Sequence, residues 1–183
     1  MNKVVLLIGG NKGNRQTLIE QATALIRERI GAVVAASRVY ETAPWGEFAE
    51  ESGVESFLNR ALLVETGLQP LEVLHEALAI EKDLGRQRDP KDLKDLKDSR
   101  LYRSRPMDID LIFYDDLVMD TPELTLPHPR MHKRQFVLEP LAEIMPDYRH
   151  PLLGKTVKEL LEQEIARGNG HTPPSAASGC HPL

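Results

Sequence analysis

Asp108 and Asp110 stand one residue apart in the run Arg105-Pro106-Met107-Asp108-Ile109-Asp110-Leu111-Ile112-Phe113. The apolar residues around them read as a β-strand, in which alternate side chains point to the same face. The two carboxylates therefore share a face, with Cα atoms roughly 6.6 Å apart at about 3.3 Å rise per residue. Like charges so placed repel unless a cation lies between them. Hard oxygen donors suit Mg²⁺, and two such ions about 3.5–4 Å apart can be bridged by an acidic pair. A solvated strand end is the commoner fate of Asp-x-Asp. Here, however, the pair keeps cationic company: Arg86, Arg88, Arg100, Arg103 and Arg105 precede it, and His128 and Arg134 follow. Cations beside metal-binding carboxylates point to a highly anionic substrate such as a nucleoside triphosphate.

The elements that must position these groups follow from periodicity. Residues 4–8 form a continuous apolar run, a buried strand that stops at Gly9-Gly10-Asn11. Residues 14–30 carry Leu18, Ile19, Ala22, Leu25 and Ile26 at helical spacing and end near Gly31. A second strand is predicted over 33–40, then a Pro/Gly loop, a polar stretch over 47–55 and a third strand over 57–65. Pro70 opens a second helix, with Leu71, Leu74, Ala77 and Leu78 on its apolar face and Gly85 as its stop. Residues 86–104 break every periodic pattern and are strongly mixed in charge, as a solvated loop would be. The Asp108 strand comes next, then a Pro-rich connection, a helix over 133–144 and a short helix over 157–164. The order β-α-β-β-α-β with additional C-terminal helices predicts a ferredoxin-like α+β sandwich. Its antiparallel sheet would carry helices on one face and leave the other for ligands. One domain is expected over residues 1–167, with 168–183 as a flexible tail.

Composition bounds the function. The 183 residues suffice for one core, and the net charge of −5 argues against general nucleic-acid or acidic-membrane binding. The single cysteine, Cys180, rules out an intrachain disulfide and a cysteine-built zinc site. The opening apolar run is too short for a signal peptide, and no run approaches membrane-spanning length, so a soluble cytoplasmic protein is expected.

Six ordered signals carry a resemblance: Gly9-Gly10-Asn11, Tyr40-Glu41-Thr42-Ala43-Pro44, Phe57-Leu58-Asn59, Gly85-Arg86-Gln87-Arg88, Arg105-Pro106-Met107-Asp108-Ile109-Asp110 and Leu126-Pro127-His128-Pro129-Arg130-Met131. Together they make residues 3–160 resemble the 6-hydroxymethyl-7,8-dihydropterin pyrophosphokinases of folate biosynthesis. The resemblance implies transfer of the β,γ-pyrophosphoryl group of ATP to the pterin hydroxymethyl oxygen, with release of AMP. It assigns Asp108 and Asp110 to two Mg²⁺ ions. Phe57 and Asn59, two apart on a strand, match a stacking ring and a reader of the pterin amide edge. Phe136 matches the second stacking aromatic, and Thr42 and Trp45 match the loop whose backbone meets the pterin. Arg86, Arg88 and Arg105 match catalytic loop arginines that grip phosphate oxygens. His128 and Arg134 match ATP-phosphate contacts, and Glu81 matches an ATP-side position, its alternative being a helix-surface glutamate.

Three departures stand out. Tyr102 replaces a tryptophan common in the family loop, and Leu78 and Glu123 replace polar and basic residues. The long segment 89–104 is expected to act as a lid that excludes water. No general base is evident, so catalysis is expected to rest on positioning and charge neutralisation. The protein is expected to be a monomer that binds ATP and the pterin but neither nucleic acid nor membrane. Two other classes were weighed: a metal-dependent glycosyltransferase, which also uses Asp-x-Asp but needs a larger α/β domain, and a ferredoxin-like RNA-binding module, disfavoured by the acidic balance and the 5% aromatic content.

Overall fold

In the computed structural model, residues 1–42, 56–85, 106–169 and 181–182 are described. Strand β1 (Asn2–Gly10) lies at the centre of an antiparallel sheet, between β4 (Phe57–Thr66) and β5 (Asp108–Tyr114). The outer edge of β4 pairs with β2 (Ala32–Ala36) and then with β3 (Tyr40–Thr42). Helix α1 (Arg15–Arg29) follows β1 and α2 (Pro70–Asp83) follows β4, giving the ferredoxin-like order. A two-stranded hairpin, β6 (Met119–Asp120) with β7 (Thr125–Leu126), lies within the Pro-rich connection. Residues His181–Pro182 form β8, which pairs with Tyr40 and Glu41.

The expected second strand is two strands. Its run of small and β-branched residues reads as continuous, but Ser37 breaks the ladder. The Ser37 hydroxyl accepts from the Ala61 N–H at 2.9 Å, and the Ser37 N–H donates to the Ala61 carbonyl, so side chain and backbone share one partner residue.

Alternation along β1 builds two apolar layers. Val4, Leu6 and Ile8 pack against Ile19, Ala22 and Ile26 of α1 and Val73, Ala77 and Ile80 of α2. Val5 and Leu7 pack on the opposite side with Ile112 and Phe113, beneath helix α3 (Gln135–Ile144) and helix α4 (Val157–Asn169). The second face is therefore not left wholly to ligands. The C-terminal helices cover one end of it because their Val137, Leu138, Leu141, Val157 and Leu160 need burial too. Helix α4 also runs past its expected end at residue 164 to Asn169.

The α1 N-terminus is capped by Asn14, whose side-chain oxygen accepts from the Thr17 N–H, and Glu72 accepts from the Gln69 N–H at the start of α2. Beneath α4, His150 is buried, with its Nδ1 accepting from the backbone N–H groups of Leu152 and Leu153, each at 3.1 Å. Burial, and then the charge of His132, hold its pKa below the ordinary value of 6.5. Protonating Nδ1 would also break both contacts. The unfolded chain binds this proton first on acidification, so stability is expected to fall as pH drops below about 6.5. In urea unfolding followed across pH, His150→Asn should lower stability at neutral pH and flatten this acid dependence.

Candidate active site

The site grows from the register of three strands. Gly9 is the partner of Asn59 on β4 and, on its other side, of Asp108 on β5. Asn59, Gly9 and Asp108 thus form a row across the sheet, with Tyr40 of β3 next to Asn59. At about 4.8 Å per strand, Asn59 and Asp108 are roughly 10 Å apart with only a glycine between them. Leu7 links Ala61 and Asp110 in the adjoining row. Phe57, Asn59, Asp108 and Asp110 all occupy the face that α3 covers further along. There is no side chain at Gly9 for a physical reason. A Cβ there would overlap both the Asn59 side-chain oxygen and the Leu58 carbonyl, and would meet Asn59 Cγ at 3.1 Å.

Asp108 and Asp110 are half-buried, and the backbone that carries them is pinned. Glu81, near the C-terminal end of α2, is only 1% exposed, and its Oε1 accepts from the Ile109 N–H at 2.8 Å. Glu81 is therefore not the helix-surface glutamate that its charge allowed. It holds the peptide between the two aspartates, on a strand whose only strand partner among the described residues is β1.

Further along β5 the register shifts between Val5 and Leu6, so that Ile112 is inserted as a bulge. The freed Ile112 carbonyl accepts from the His128 N–H at 3.0 Å, which brings His128 to the strand that carries Asp108 and Asp110. His128 Nδ1 accepts from the Arg130 N–H at 3.2 Å, so the neutral ring carries its proton on Nε2. Burial first, then the Arg134 charge, push its pKa down to about 4, while Asp108 pulls the other way. His128 is thus a neutral donor near neutral pH.

Arg134 sits between a 3-10 turn at Met131–Lys133 and α3, with its guanidinium carbon 5.7 Å from the centre of the Phe136 ring. Phe136 is half-buried at the first turn of α3. Glu143, on the same helix, accepts from the Tyr40 hydroxyl at 2.7 Å and from the Arg38 N–H at 3.1 Å, tying α3 to the segment that leads into β3. Thr42 is buried on β3 opposite Phe57. Trp45, Arg86, Arg88, Tyr102 and Arg105, and the segment expected to act as a lid, lie outside the described residues. Leu78 is half-buried against the first apolar layer, and Glu123 is exposed and paired with His75 at 3.1 Å. Sequence reading missed Gly9 and Glu143 as positioning groups. The Gly9-Gly10-Asn11 motif was the one available signal for Gly9.

The profile of the family described as 7,8-dihydro-6-hydroxymethylpterin-pyrophosphokinase (HPPK) matches residues 5–146. The chain belongs to this family. A Porphyromonas gingivalis 2-amino-4-hydroxy-6-hydroxymethyldihydropteridine pyrophosphokinase is 36% identical over 149 residues, covering 81% of this chain and 93% of the relative. The Bacillus subtilis enzyme of the same name is 36% identical over 146 residues, 79% of each chain. Among solved structures, a Plasmodium falciparum HPPK-DHPS chain superposes with a TM-score of 0.73 at 16% identity, covering 99% of this chain and 46% of that one. That likeness shows the fold alone, and this chain spans less than half of that longer protein. The HPPK reaction transfers pyrophosphate from ATP to the hydroxymethyl group of 6-hydroxymethyl-7,8-dihydropterin in folate biosynthesis, giving AMP and the pterin diphosphate. Membership in this family sets aside the glycosyltransferase and RNA-binding readings.

The close approach at Gly9 gives a direct structural test. Gly9→Ala should destabilise the protein by about 1–3 kcal/mol in urea unfolding, because a backbone carbonyl on the neighbouring strand cannot move aside as a flexible side chain can.

Proposed function

We propose that this HPPK works by holding the pterin and ATP at opposite ends of the Asn59–Gly9–Asp108 row. That row is the observation that carries the reading. The carboxamide of Asn59 reads the pterin amide edge, Phe57 and Phe136 stack on its two faces, and Thr42 and Trp45 meet it through their loop. Asp108 and Asp110 hold two Mg²⁺ ions. The donor set fits this ion, since Mg²⁺ keeps several waters and binds through one or two carboxylates plus substrate phosphates. When bound, Mg²⁺ neutralises the triphosphate and eases attack at its β-phosphorus.

The chain's own groups do the rest. His128 donates from Nε2 to a phosphate oxygen, and its low pKa keeps that role constant across the neutral range. Arg134 adds a fixed positive charge beside it. Arg86, Arg88 and Arg105 grip the transferred group and the leaving AMP phosphate. Glu81 serves the nucleotide side through the strand, by fixing Ile109 between the two acidic side chains. Gly9 leaves the floor between the substrates open, so the hydroxymethyl oxygen can approach the β-phosphorus with its oxygens aligned.

We further propose one domain over residues 1–167, with 168–183 as an appended tail, in a monomer acting in the cytoplasm. Among the described residues no helix is long and apolar enough to cross a membrane.

Incubation with ATP, Mg²⁺ and hydroxymethyldihydropterin should release AMP rather than ADP, and only when the pterin is present. Asp110→Ala should lower turnover by about 10³-fold or more while leaving the unfolding transition in place. ADP as the product would overturn the reaction assignment, and near-normal turnover in the variant would overturn the metal role.

A further inference from the structure

Arg15 opens α1, and it is oddly placed there. The first turn of a helix favours anions, and this one contains no acidic residue. Its guanidinium instead reaches to the start of β4 and to β3. Nη1 donates to the Ser56 carbonyl at 2.8 Å and to the Ser56 hydroxyl at 3.0 Å, and lies 3.7 Å from Glu41 Oε1. The Ser56 hydroxyl in turn donates to the same Glu41 oxygen. Residues 15, 41 and 56 are distant in sequence, yet they close one cluster with both ion-pair side chains partly shielded from water.

The position of this cluster gives it meaning. Glu41 precedes Thr42, Ser56 precedes Phe57, and Thr42 and Phe57 form the end pair of the β3–β4 ladder. The cluster therefore locks the end of the ladder from which Phe57 and Asn59 project. A helix terminus has been given an unfavourable charge, and that charge fixes the strand ends beside the ligand-facing row.

We propose that Arg15 is a positioning residue for the pterin: it sets the relative placement of β3 and β4 through Glu41 and Ser56 without touching either substrate. The inference rests on the pterin-side reading of Phe57 and Asn59 given above. An arginine suits this role because its planar donor array can serve a carbonyl, a hydroxyl and a carboxylate at once, whereas a lysine presents a single ammonium.

The test is a fluorescence titration with hydroxymethyldihydropterin in the presence of Mg²⁺ and a non-hydrolysable ATP analogue, using wild type, Arg15→Met, Arg15→Lys and Ser56→Ala. Arg15→Met should weaken pterin binding by about tenfold with nucleotide affinity changed less than about twofold. Arg15→Lys should recover only part of the loss, and Ser56→Ala should show a smaller loss of the same kind. Thermal unfolding should shift little, since the contacts are partly exposed. Unchanged pterin affinity in folded Arg15→Met and Ser56→Ala overturns the inference, as does an equal loss of nucleotide and pterin affinity. Wild type that binds no pterin would instead refute the reading of the site on which the inference rests.

Discussion

Everything at the site depends on how β1 is shared. A central antiparallel strand has two neighbours, and a single residue of it fixes where both present their side chains. Gly9 does this for Asn59 and Asp108. A shift of one residue on either side would turn Phe57 and Asn59, or Asp108 and Asp110, into the apolar layer beneath α1 and α2. The apolar alternation of Val4, Leu6 and Ile8 against Val5 and Leu7 forbids such a shift, because both layers are buried. Core packing therefore enforces the geometry of the site, and the absence of a side chain at Gly9 leaves it open.

Around that row, charge is handled by fixed backbone rather than by paired ions alone. Two aspartates share one face of β5, on a backbone that neighbouring elements hold in place. Glu81 anchors the peptide between them from below. The bulge at Ile112 turns a strand carbonyl outward to hold His128, and the Arg130 N–H fixes which ring nitrogen of His128 carries the proton. Phosphoryl transfer gains most from such preorganised donors and charges, since little covalent chemistry is asked of the protein.

The sequence made some of this legible and hid the rest for identifiable reasons. Strand alternation alone placed Asp108 with Asp110, and Phe57 with Asn59, each pair on one face. Setting those pairs side by side required the register, which is a long-range property. The break at Ser37 was hidden because no Gly or Pro marks it between Val33 and Tyr40, and only the hydroxyl's competition with the ladder reveals it. Two C-terminal helices were legible, over 133–144 and 157–164, but periodicity does not say which face of a sheet a helix will cover. Glu81 was misleading because charge suggests exposure. A strand edge facing a helix can bury a carboxylate when a backbone N–H needs an acceptor.

The central claim is that Asp108 and Asp110 bind two metal ions together with the nucleotide. Calorimetric titration of Mg²⁺ into the protein with a non-hydrolysable ATP analogue and hydroxymethyldihydropterin measures this directly. The account predicts two ions per chain in the wild type, with at least one lost in Asp108→Asn and in Asp110→Asn. Two ions retained in both variants, or one or none in the wild type, would contradict it.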